Sequence, residues 1–323
     1  MKRTLLVVCS LLFTWMIDAV AADNAYPSRP IRIVDPFPPG GPSDIVGRSL
    51  SQKLNEALGQ TVVIDNRGGA SGIVGCEIVA NAAPDGYTLL LGPSGALTIQ
   101  PTLNPKLPYN VQRDFQTVSQ LTTGPQVIAV NPGVAAKSLP ELIALAKAKP
   151  GQLNFASGGS GTANHLAAEV FKLAAGINIA HIPYKGTGPA LTSVLGGETQ
   201  LIISSLLPAL PHVKSGKLRA LAVTTTARSS ALPEVPTASE SGMPAFETSS
   251  WHGILAPAKT PRAIVTRLHD ELVRALNRPD VRERLTGQGL NIVASTPEAF
   301  AAYIRSETSK YARVIKQVGI KLE

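Results

Sequence analysis

Two stretches of this chain place polar and conformationally free residues where a strand gives way to a helix. The first is Ile31 to Arg48, IRIVDPFPPGGPSDIVGR, in which an apolar run meets a Pro/Gly turn and then a helix carrying Ser43 and Asp44 near its start. The second is Ser157 to His165, SGGSGTANH, where three glycines and Thr162 lie between a strand end and a helix start. The first turn of a helix leaves backbone N–H groups unpaired at the positive end of its dipole, so each stretch is an anion seat made of backbone. Neither carries a phosphate-binding lysine or a set of metal ligands. The chemistry on offer is holding an anion rather than transforming it.

An enzyme reading meets obstacles in the same loops. Gly158-Gly159-Ser160-Gly161-Thr162 and Gly92-Pro93-Ser94-Gly95-Ala96 each depart from the GxSxG nucleophile elbow at the last residue. His165, five residues after Ser160 and inside the following helix, is poorly placed to serve as its base. The five histidines and the cysteines show no ligand spacing, and neither GxxxxGK[ST] nor a full GxGxxG occurs. Asp44 has two readings, a helix-stabilising acid or a residue that orders the ligand loop or meets an amine. Lys185, in Ile182-Pro183-Tyr184-Lys185-Gly186, is the cation best placed near a strand end.

The elements that must carry these loops can be read from apolar periodicity. Ile31–Val34, Val62–Ile64 and Tyr87–Leu91 read as strands, with helices over Ser43–Leu58 and about Gly72–Ala82 between them, the β-α-β-α-β half of a parallel sheet. Val46, Leu50, Leu54 and Leu58 form the stripe of the first helix and Gly59 its stop. A second set follows: strands at 127–130, 154–156, 179–182, 201–203 and 220–223, with helices at 162–175 and 189–195 and a capped helix opened by Ser138-Leu139-Pro140-Glu141. The end of the chain is helical, with Thr260-Pro261 and Thr296-Pro297 expected as helix starts. Its apolar stripes need an existing sheet, which predicts a return to the first lobe and two connections, near 120–126 and 247–253.

Bulk properties set the class. Lys2 and Arg3, an apolar run from Leu5 to Ile17 and Ala19-Val20-Ala21 form an export signal, and that run is well short of the ~20 apolar residues of a spanning helix. Cleavage near Ala21 removes Cys9 and leaves Cys76 alone, so no internal disulfide forms. A long exported chain without a disulfide framework fits a bacterial periplasm and two domains. The net charge of +8 becomes about +7 once two bases and Asp18 leave, yet the cations are scattered and aromatics are 5 % of residues. Nucleic acid is not an expected partner; a general attraction for anions is.

Eight segments carry a resemblance: YPSRPIRIVDPFPPGGPSDIVGR, NRGGASGIVG, APDGYTLLLG, FASGGSGTANHLAAEVF, HIPYKGTGPAL, GKLRALAVTTTARS, LPEVPTASESGMP and WHGILAPAKTP. In these, and in their order, the chain resembles the Bug receptors, the extracytoplasmic solute-binding proteins of the tripartite tricarboxylate transporter family. The resemblance implies an α/β, two-lobed periplasmic-binding-protein (Venus flytrap) fold, each lobe a mostly parallel sheet flanked by helices. It also implies a small carboxylate in the cleft, no catalysis, no cofactor or metal, membrane subunits as partners and a monomeric receptor.

Lobe 1 is then 26–124 with 249–323, and lobe 2 is 125–248. The expected ligand contacts are Phe37, Pro39, Gly40, Gly41, Ser43 and Asp44 in one loop, Ser157, Gly158, Gly161, Thr162 and His165 in the other, with Ser94, Lys185 and Ser205. Three residues depart from the family pattern: Asp35 stands for an apolar residue, Gly68 for a proline, and Ser205 for an aspartate suited to an ammonium group. Ser205 therefore points to a ligand without an amine. Two alternatives share parts of this reading: a sensor subunit of the same fold, and a serine hydrolase using Ser160 or Ser94.

Overall fold

The computed structural model describes residues 26–320; the expected export signal and Cys9 lie outside the described residues. β1 (Ile31–Asp35) runs parallel to β2 (Val62–Asn66) on one side and β3 (Thr88–Pro93) on the other. The crossovers are α1 (Pro42–Leu58) and α2 (Ile73–Ala80). Proline suits the first turn of α1, where its missing N–H has no helical partner to lose, and Gly59 ends the helix at φ 65° with its N–H on Asn55 O. Val46, Leu50, Leu54 and Leu58 bury against Ile31, Ile33, Val62 and Leu89.

After β3 come a π-helical turn over Gly95–Ile99, the short helices α3 (Gln100–Leu103) and α4 (Val111–Asp114), and the sixteen-residue strand β4 (Phe115–Val130). α5 (Leu139–Ala148), β5 (Asn154–Ser157), α6 (Ala163–Ala175), β6 (Ala180–Pro183), α7 (Thr187–Leu195) and β7 (Leu201–Ser205) repeat the crossover pattern, and β5 lies parallel between β6 and β7. The chain continues through α8 (Leu206–Lys214), β8 (Arg219–Val223) and β9 (Ser249–Pro257), and ends in α9 (Arg262–Asn277), α10 (Pro279–Gly287), β10 (Asn291–Ile292) and α11 (Pro297–Val318).

The fold is the α/β periplasmic-binding-protein architecture, but its sheets are more mixed than a mostly parallel reading expects. Each parallel triad, β2-β1-β3 and β6-β5-β7, is joined to antiparallel strands: β9 to β3, and β4 to β7, β8 and β9. The cause is the double crossing. β4 pairs with β9 through Pro125 and with β7 and β8 from Gln126 onward, so one strand belongs to both sheets. β9 re-enters beside it, with Gly124 opposite Ser250 and Pro125 opposite Ser249, and two strands crossing in opposite directions must pair antiparallel.

The helical end covers the first sheet, as its stripes require: Leu268, Leu272 and Leu276 pack with Ile254, and Phe300 and Ile304 with Trp251. The last turns of α11 go further, because Tyr311 and Ile315 meet Leu166 of α6 in the other lobe. Thr296 caps α11, accepting from Ala299 N–H at 3.2 Å. Thr260, expected as a cap, is claimed by the preceding turn instead and donates to Pro257 O at 2.8 Å, which leaves Pro261 at the start of α9 without a side-chain cap.

Candidate functional site between the two lobes

The first loop folds back on its own carboxylates. Asp44 accepts from Gly40 N–H at 3.0 Å and from Arg48 Nε at 2.9 Å. Burial opposes its charge, but those hydrogen bonds outweigh burial and hold the carboxyl below its ordinary range. Asp35, fully buried at the end of β1, accepts from the Ser43 hydroxyl at 2.8 Å and Phe37 N–H at 3.1 Å, while Asn66 Nδ2 reaches its other oxygen at 3.2 Å. Burial pushes the Asp35 carboxyl up to about 7, against the lowering effect of the Ser43 and Phe37 hydrogen bonds. Part of this seat's donor capacity is therefore spent on an internal acid.

The second loop is propped from behind by two stacked imidazoles. His165 and His181 lie with centroids 4.1 Å apart, and Phe155 stacks on His181 at 4.8 Å. Gly161 N–H donates to His165 Nδ1 at 3.1 Å, which places the His165 proton on Nε2. Ser157 Oγ sits 2.7 Å from His181 Nε2 and accepts from Gly159 N–H at 3.0 Å. Burial lowers both imidazoles to about 4, so they are neutral near pH 7. The Thr162 hydroxyl donates to Gly159 O at 2.7 Å and fixes the turn into α6.

The two loops meet across the cleft. Gln100 Nε2 donates to Ser160 O at 3.0 Å, and a Cβ added to Gly186 would lie 2.9 Å from Pro38 Cδ, so the lobes touch in a closed form. Between them lies a small cavity, with about 40 Å³ open to the centre of a water-sized sphere. α1, α6 and α7 all begin at its wall, through Pro42, Ala163 and Thr187, so three positive helix ends converge there. Among the described residues, no Lys, Arg, Asp or Glu side chain lines it. On the far side of Phe37 a wider pocket opens to solvent between Gly68–Ser71 and Gly158–Ser160.

The profile of the tripartite tricarboxylate transporter family receptor matches residues 46–320. The chain belongs to that family. Protein BugT of Bordetella pertussis is 40 % identical over 324 residues, covering 100 % of this chain and 99 % of its own length. Two solved structures are similar throughout. Rpa4515 of R. palustris with adipate has a TM-score of 0.90 at 32 % identity, covering 92 % of this chain and 100 % of its own. MatC of Rhodopseudomonas palustris with bound malate has a TM-score of 0.86 at 33 % identity, covering 90 % and 100 %.

In this tripartite tricarboxylate transporter receptor, Phe37, Gly41, Ser43, Ser94, Thr162 and Ser205 line the closed cavity. Phe37 also borders the outer pocket with Pro39, Gly158 and Lys185, while Gly40 lines a surface groove beside α7. Asp44, Ser157, Gly161 and His165 stand behind the walls instead, because their polar atoms are taken up by loop hydrogen bonds. The cavity also brings in residues the sequence reading missed: Pro42, Pro93, Gly95, Gln126, Ala163, Asn164, Thr187, Ser250 and His252. Asn164 and Thr187 lay within the quoted family segments. Gln126, on β4, lay in none of them, and nothing in the local pattern marks it as facing a cleft.

Proposed function

We propose that this receptor closes over a small organic carboxylate in the periplasm and presents the closed form to the membrane subunits of a tripartite tricarboxylate transporter. The observation that carries the reading is the convergence of three helix starts on one inter-lobe cavity whose wall, among the described residues, holds no charged side chain. Uncompensated N–H groups there favour a carboxylate, and water exclusion on closure strengthens each hydrogen bond. Adipate in Rpa4515 and malate in MatC support the same ligand class. The reading takes 26–124 with 249–323 as one lobe and 125–248 as the other, follows cleavage near Ala21, treats the receptor as a monomer and assigns no catalysis.

Ligand binding selects the closed population of such a hinge. Mass spectrometry of material released from the purified protein, with a thermal-shift panel of carboxylates, tests the proposal. A ligand at about 100 times its Kd should stabilise the protein by roughly 2.7 kcal/mol. Absence of any response across mono-, di- and tricarboxylates would overturn it.

A further inference from the structure

The back of the cavity is built by strands rather than loops, and hydrogen-bonding capacity is left over there. Ser205 ends β7, Gln126 lies on β4, and Ser250 and His252 are two residues apart on β9. Gln126 pairs with Ser205, Gly124 with Ser250 and Thr122 with His252, so these side chains share one face of the continuous sheet. All four line the cavity, and none is more than 6 % exposed. Ser205 Oγ, Ser250 Oγ and His252 Nδ1 have no hydrogen-bond partner among the described residues. Buried polar atoms are nearly always paired, so three unpaired in one cavity wall call for a partner that arrives with the ligand.

Resting on the carboxylate reading above, we propose that this strand-built wall is a second subsite for an uncharged hydrogen-bonding group, a hydroxyl or carbonyl. It makes the receptor selective for hydroxy- and oxo-carboxylates over unsubstituted and amino-substituted ones.

The serine hydroxyls donate and accept, as does a neutral imidazole. Burial lowers His252 to about 4, so it is uncharged near pH 7. The wall carries no charged side chain among the described residues, so a neutral group that can both donate and accept matches it, and an ammonium group would find no acid there. Asp35, the nearby buried acid, is already occupied by Ser43 and Phe37. An alkyl chain against the wall would leave its polar atoms unpaired, the means by which a hydrogen-bonding site rejects analogues lacking the group.

Calorimetric titration of the purified receptor with two matched series tests this: succinate, malate and aspartate, then glutarate, 2-hydroxyglutarate, 2-oxoglutarate and glutamate. The hydroxy or oxo member should bind about tenfold or more tighter than its unsubstituted and amino counterparts. In Ser205→Ala and Ser250→Ala, placed on different strands, that ratio should collapse toward one. Equal or tighter binding of the unsubstituted or amino member, or a ratio unchanged in both variants, overturns the subsite. A receptor that responds to unsubstituted carboxylates alone overturns the subsite and leaves the carboxylate reading standing. Silence toward every carboxylate removes both.

Discussion

The Ser43 hydroxyl donates to the Asp35 carboxylate at 2.8 Å, so the residue that opens α1 onto the cavity is tied to a fully buried acid at the end of β1. Here the first anion seat contains an anion of its own, and its protonation state matters to both folding and ligand.

Asp35 titrates at about 7 when folded, against 3.8 for the free carboxyl. The folded state therefore keeps a proton that the unfolded chain has lost, and this contribution to stability, fully present below about 3.8, disappears as pH rises through about 7. His165, His181 and His252, held at about 4 against 6.5, act in the opposite sense, their contribution being lost as pH falls from about 6.5 to about 4. Comparison with Asp35→Asn isolates the acid. Between pH 6 and pH 9 the variant should gain about 1–2 kcal/mol on the parent in urea unfolding. A difference that does not change with pH would contradict the shifted titration.

The same relationship bears on binding. A ligand carboxylate beside Ser43 favours protonated Asp35, because two carboxylates sharing one site resist joint ionisation. Affinity measured by calorimetry should tighten as pH falls from about 8 to about 6 in the parent and stay flat in Asp35→Asn. A parallel slope in both proteins would assign the effect elsewhere.

Gly95 lines the cavity where the lobes come together. A Cβ there would lie 3.1 Å from Ala163 N and 3.2 Å from Thr162 Cα, both backbone atoms of the opposite lobe. Gly95→Val should prop the lobes apart and weaken binding about tenfold or more, the scale of a small overpacking penalty. Small-angle scattering should show a larger radius of gyration with ligand present than for the parent. A variant that closes normally would refute the contact.

Gln100 provides a cross-cleft tie through Nε2 to Ser160 O. Gln100→Met keeps most of the side-chain volume and removes the donor. The closed form should lose about 0.5–1.5 kcal/mol, seen as ligand release roughly two to ten times faster in stopped-flow measurements. An unchanged release rate would mean that the tie carries no weight in closure.

Cys76 is packed with Val34, Leu90 and Ala96, and burial pushes its thiol up to about 12 from 9.0. The thiolate fraction is lower by about a thousandfold, so a thiol reagent at pH 8 should leave the folded receptor unlabelled and modify it on denaturation. Rapid labelling of the native protein would place Cys76 in a looser environment than this core.

Local pattern made some of this protein legible. The stripe from Val46 to Leu58, the stop at Gly59 and the cap at Ser138 are set within a few residues of chain, where side-chain period and backbone permissiveness act directly. The two seats were readable for the same reason, since a glycine-rich turn before a helix start is a local object. His165 is absent from the cavity lining: its ring stacks on His181 and accepts from Gly161 N–H, contacts that its sequence position does not show. Thr260 misled because a turn and a helix start compete for one hydroxyl, and geometry favoured the turn.

From sequence alone, then, came the alternation of elements, the helix starts that favour anions and the family these segments resemble. Only the tertiary structure decided which of those N–H groups face a cavity and which are spent on Asp35 and Asp44. It also placed Gln126, Ser205, Ser250 and His252 on one wall, although they span 127 residues of chain. The reason is the pairing of β4 with both β7 and β9: strand register is a long-range choice, made by the packing of whole sheets and invisible to any local window of sequence.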